Sequence, residues 1–120
     1  MARGNEIASS LPGQVAQNIV GSCANSLTAV GTNLATALSL PAAVNRITTA
    51  AASTGVALLP GELPGTDIWI VNDNTGQTIT VYTQTGETFI NGATSKTLAT
   101  NTTMICKKVS NTVWMTITSA

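Results

Sequence analysis

From Val44 onward the chain is written in short apolar runs, many of them alternating with polar positions and nearly all stopped by Gly, Asn, Asp, Ser or Pro. Alternation with period 2 is the mark of a strand with one buried face, and the punctuating residues are those that tolerate turn conformations. The pattern predicts strands over Asn45 to Thr49, Gly55 to Leu59, Asp67 to Val71, Thr78 to Tyr82, Thr88 to Ile90, Ser95 to Ala99, Thr103 to Val109 and Val113 to Thr118. No helix-period segment interrupts them, so the fold class expected is all-β, an antiparallel jelly-roll-like sandwich or barrel. Ahead of this region, Ala2 to about Leu40 shows neither period. A short helix from Pro12 to Gly21 and a short strand over Ala35 to Leu40 are the elements expected there. The chain therefore divides into an irregular N-terminal arm, 1-34, and a β-barrel domain, 35-120.

Two hairpins are expected. Ile68 to Val71 and Ile79 to Tyr82 flank Asn72 to Gln77, and Met104 to Val109 and Val113 to Thr118 flank Ser110-Asn111-Thr112. In the last strand Val113, Met115 and Ile117 share one face, read as core, and Trp114, Thr116 and Thr118 share the other. Ile68 to Val71 breaks the alternation by being apolar throughout, so both faces of that strand should be covered, one of them by a neighbouring subunit.

Composition narrows the function. Five basic and five acidic residues cancel, only 8% of residues are charged, and Thr, Asn, Ser, Gly and Ala fill the remainder. No net field is present to hold nucleic acid or an anionic bilayer, and neither is expected as a partner. The chain has no histidine, which removes His-based triads, His zinc sites and the His general base. Cys23 and Cys106 are too few for a disulfide framework and are read as reduced thiols. Met1 to Leu11 lacks the apolar core of a signal peptide, and no window approaches the roughly 20 apolar residues of a membrane helix.

Local motifs carry little chemistry. Gly92 to Thr97 resembles the end of a phosphate-binding loop but lacks the Gly before Lys96 and a following helix, and Asn91-Gly92 reads as a turn. Asp73-Asn74-Thr75-Gly76 offers oxygen ligands without the acids of a calcium loop. Glu62, Asp67, Asp73 and Glu87 are the acids from which a glycosidase pair could come, though scattered over turns they read as solvated. Lys107-Lys108 reads as the solvated basic pair of an edge strand. No residue is assigned as catalytic, cofactor-binding or metal-ligating, and no cofactor is expected.

One resemblance adds to this. Gly55-Val56-Ala57-Leu58-Leu59-Pro60, Pro64 to Asn72, Thr78 to Tyr82, Gly86 to Gly92, Thr97-Leu98-Ala99 and Asn111-Thr112-Val113-Trp114 follow one another in an order similar to that of the small β-barrel modules of tailed-bacteriophage virions, found in capsid decoration (cement) proteins and in head or tail fibres. The chain departs from that pattern at Thr83 and Met115. The resemblance implies a non-enzymatic virion protein, made in the bacterial cytoplasm, that binds the major capsid protein on the outer shell as a homotrimer, with the N-terminal stretch as its attachment arm. An alternative is a fibre module that binds a host-surface glycan, which an exposed cluster of Trp69, Tyr82 or Trp114 in a loop groove would favour. A small carbohydrate-active enzyme using two of the four acids ranks behind both.

Overall fold

The computed structural model describes residues 22–119, which hold ten strands and no helix. In chain order these are β1 (Cys23–Ala29), β2 (Leu38–Ser39), β3 (Val44–Ala50), β4 (Gly55–Ala57), β5 (Asp67–Asn72), β6 (Ile79–Tyr82), β7 (Thr88–Phe89), β8 (Ser95–Leu98), β9 (Thr102–Lys108) and β10 (Val113–Thr118). One sheet runs β1-β3-β5-β9-β10-β7 and the other β2-β4-β6-β8. From β1 to β8 the chain changes sheet with every strand, and up to β6 each return lays a new strand beside the last one in that sheet, whereas β7 lies at the far edge beside β10. Successive passes therefore pair in parallel, β1 with β3 and β3 with β5 in one sheet, β2 with β4 and β4 with β6 in the other. The strands stack as coils of a β-solenoid, and the stack is closed at its far end by antiparallel pairings of β9 with β5, of β10 with β9 and of β8 with β6.

The all-β expectation holds, and the antiparallel jelly roll expected with it is replaced by mixed sheets. The hairpin expected between β5 and β6 is absent, because the two lie in different sheets. Its loop explains the difference. Asn74 Oδ1 accepts the backbone N–H groups of Gly76 and Gln77 at 3.1 and 2.8 Å, and Asn72 Nδ2 donates to the Gln77 carbonyl at 3.1 Å. These bonds bend the chain out of the plane of the first sheet and across to the second. The turn at Asn91-Gly92 is present, with Gly92 at φ 84, but it too joins strands of different sheets. The β9–β10 hairpin is as expected, with Met115 opposite Lys107 and Ile117 opposite Ile105.

The expected arm extends too far into the chain. Ser22 onward is bound into the first sheet, with the Val44 N–H donating to the Ser22 carbonyl at 2.9 Å and β1 paired along its length with β3. The expected Pro12 to Gly21 helix lies outside the described residues. Of the strand expected over Ala35 to Leu40 only Leu38–Ser39 forms, since Asn33 turns the chain just before it by accepting the Thr36 N–H on Oδ1.

Between the sheets lies one apolar cluster built from Ile47, Ile70 and Met104 on one side and Val56, Ile79, Val81 and Leu98 on the other, all at most 1% exposed. Trp114 belongs to this core, which corrects the face expected for β10. Trp114 is fully buried and Ile117 is 60% exposed. One indole removes more apolar surface than the smaller aliphatic side chains opposite it, and it carries an N–H that finds an acceptor inside. At the second sheet, Gly55 leaves room for Tyr82, whose ring would lie 2.7 Å from a Cβ there and whose hydroxyl donates to the Thr32 carbonyl at 2.9 Å.

Asn72 is the polar centre of this packing. It is fully buried, and its amide nitrogen reaches the carbonyls of Gln77, Leu98 and Ala99 at 3.0 to 3.2 Å while its oxygen accepts from Asn74. Replacing Asn72 with Ala is expected to lower unfolding free energy by about 3 kcal/mol, since buried carbonyls lose their donor. Urea denaturation measures this, and a loss below about 1 kcal/mol would show that the corner is held by other groups.

Candidate functional site

Three places gather polar or exposed side chains whose chemistry bears on function. The first is a groove of about 510 Å³ walled by Ser22, Ala43, Leu59, Glu62, Thr66 and Asp67 among others. It brings together two of the four acids named from sequence. Asp67 is engaged by Lys107, whose Nζ lies 3.2 Å from its Oδ1. Asp73 stands apart, taking Arg46 Nε and Nη2 on one oxygen at 2.8 and 2.6 Å. No group of three His, Cys, Asp or Glu side chains that could hold a metal ion occurs among the described residues.

Glu87, the fourth acid, forms the second place, and its burial overturns the solvated reading. Its Oε2 accepts Lys108 Nζ at 3.0 Å and its Oε1 accepts Trp114 Nε1 at 3.0 Å, while Lys108 Nζ lies 5.5 Å from the centre of the indole ring. Lys108 is 2% exposed. The Lys107-Lys108 pair is thus split by strand alternation. Lys107 points outward to Asp67 and Lys108 points inward to Glu87, and β9 is an interior strand flanked by β5 and β10 rather than the edge expected. The buried ion pair could not be read from sequence, because Glu87 precedes β7 and meets Lys108 only through the parallel pairing of β7 with β10. Nearby, Cys106 is fully buried, and Lys96 donates to Thr116 Oγ1 at 2.9 Å. Burial pushes the Cys106 thiol from an ordinary 9.0 up to about 12, with the Lys96 charge pulling weakly the other way. Both cysteines are free, Cys23 exposed and Cys106 enclosed.

The third place is the outer face of the six-stranded sheet. Residue pairing across five strands aligns Cys23 with Val44, Val44 with Trp69, Trp69 with Ile105 and Ile105 with Ile117. These five make one apolar row crossing the sheet. Trp69 is 42% exposed and Ile117 60%. Val71 and Met115 lie on the neighbouring rungs, and ion pairs border the row on both sides, Arg46 with Asp73 and Lys107 with Asp67, each side chain close to half exposed. The sequence flagged Ile68 to Val71 as apolar on both faces. The inner face, Ile68 and Ile70, is buried by the core, and the outer face at Trp69 has no cover within the described residues. Trp69, Tyr82 and Trp114 do not gather, since Trp114 is buried and Tyr82 lies in the other sheet.

No protein-family model, no curated protein and no solved structure matches this chain.

Two expectations follow from the interior. Glu87→Ala strands an ammonium and an indole N–H in the core and is expected to cost about 3–5 kcal/mol, whereas Glu87→Leu combined with Lys108→Met is expected to cost less than that single change. Urea titrations of the three proteins decide it, and a double variant weaker than Glu87→Ala would refute the assignment. The thiol gives the second. Between pH 9 and about 12 the unfolded chain releases the Cys106 proton while the folded chain keeps it, so stability falls as pH rises through that window. Thermal melts from pH 8 to 11 should show a steeper alkaline loss for the wild type than for Cys106→Ala, and equal slopes would contradict the shift.

Proposed function

We propose that this chain is a non-enzymatic structural protein of a tailed-bacteriophage virion, a capsid decoration protein that binds the major capsid protein on the outer shell and stabilises it as a homotrimer. The observation that carries the reading is the apolar row on the six-stranded sheet, exposed at Cys23, Trp69 and Ile117, part-buried at Val44 and Ile105, and bordered by ion pairs. A fully apolar rung with a charged rim has the anatomy of a protein interface, an apolar centre inside a polar margin. The sheet edges point the same way. β1 is broken by register shifts around Leu27, with Ser26 at φ 57, β2 and β7 are two residues long, and β8 carries Lys96. Such edges resist strand addition, which leaves faces as the route to assembly. Zero net charge supports many copies lying side by side on one shell without mutual repulsion. Residues 1–21, which lie outside the described residues, are the candidate attachment segment carried by the resemblance to phage decoration proteins.

Sedimentation of the full-length chain with purified capsids of tailed bacteriophages tests the proposal. Binding that saturates at a fixed number of copies per shell and raises the temperature at which capsids rupture is expected, and deletion of Met1 to Gly21 is expected to abolish it while moving the melting temperature of the chain by only a few degrees. Absence of saturable binding would remove the decoration reading, and loss of folding on deletion would remove the attachment role of that segment.

A further inference from the structure

We propose that the row Cys23, Val44, Trp69, Ile105 and Ile117 is the surface through which copies of this chain pack on one another, so that its occupant is a second copy and the capsid is held elsewhere. The inference rests on the assembly reading above and names the partner of that face. Three observations favour self-packing. The first is the charge on the margins. Each side of the row carries one base and one acid, Arg46 with Asp73 and Lys107 with Asp67, all close to half exposed. A second copy brings the same balanced, internally paired set, so the margins meet without net repulsion, whereas a partner surface of a single sign would set half of these groups against like charge. The second is size. Four inter-strand steps of roughly 4.8 Å make a row of about 19 Å, and with the flanking rungs the face covers about 500 Å². Three such faces turned toward a common axis bury about 1,500 Å² together, above the roughly 1,000 Å² that a specific interface needs. The third is the composition of the row. Trp69 is its only ring, with no second aromatic beside it to form a sugar platform, and Val44, Ile105 and Ile117 are β-branched side chains of the kind that interdigitate when sheet faces pack together.

The test uses the full chain. Light scattering coupled to gel filtration is expected to give a mass three-fold that of one 12.2 kDa chain for the wild type, and a single-chain mass for Trp69→Lys and for Ile117→Lys. Leu63→Lys, a change at a 75% exposed apolar residue off the row, is expected to keep the wild-type mass. Circular dichroism confirms folding, and in the Trp69→Lys protein the buried Trp114 is the remaining tryptophan reporter. Should Trp69→Lys fail to fold, Ile117→Lys and the wild type still decide the matter, because diluting the wild type through its dissociation should expose Trp69 to iodide and increase quenching of its emission. A single-chain mass for the wild type at high micromolar concentration overturns the inference. So does an unchanged mass in folded row variants, and if those variants also stop sedimenting with capsids the occupant of the row is the capsid. Loss of mass on substitution together with failure of the wild type to bind any capsid upholds the inference and removes the decoration reading.

Discussion

Each passage of the chain from one sheet to the other carries peptide groups past the margin of an apolar core, where a carbonyl or N–H without a partner would cost more than a hydrogen bond gains. The fold depends on meeting that demand with side chains. Asn45 and Asn72 do so, both fully buried. Asn45 accepts the Ala42 N–H and donates to the carbonyls of Ala42 and Trp69, tying the entrance of β3 to β5. Asn72 spreads two amide hydrogens over three carbonyls, one in the turn after β5 and two at the exit of β8. A primary amide is the one side chain that offers a donor and an acceptor like those of the backbone it replaces. With these corners fixed, β5 is held between β3 and β9, and the outer rungs of the sheet come into line.

The strands were legible in the sequence and their pairing was not. A period of 2 shows that a segment is a strand, yet it says nothing about which segment lies beside it. The rule that sequence neighbours pair succeeded for β9 and β10, joined by a short turn, and failed for β5 and β6, because the intervening asparagines turn the chain out of its sheet. A coil repeat would have revealed the parallel stack, but its length is uneven. Cys23 lies opposite Val44 and Val44 opposite Trp69, steps of 21 and 25 residues, and Leu38 lies opposite Val56 and Val56 opposite Val81, steps of 18 and 25. No fixed period survives such variation.

The outer apolar face of the six-stranded sheet was half legible. Ile68 to Val71 announced a strand apolar on both sides, but its companions Val44, Ile105 and Ile117 look like ordinary members of alternating strands until the register aligns them with Trp69. Counting aliphatic residues places Trp114 outward, and counting acids on turns places Glu87 in solvent. Both errors have one source, since the carboxylate enters the core only because an indole N–H and an ammonium are already there to receive it. Polar groups of this kind are satisfied jointly, and no single position displays the arrangement.

The uneven solenoid also orders events in time. In every parallel pairing from β1 to β6, a strand must wait for a later segment at least 18 residues on, so these pairings close large loops before they are rewarded. The one local pairing, β9 with β10, comes last in chain order. During synthesis the early strands thus leave the ribosome without the antiparallel strands that close their stack, exposing β5 along the edge that β9 will occupy. Closure of the stack therefore waits for β9 and β10, and a nascent chain paused after β6 would present the unpaired edge of β5 to any neighbour on the same message.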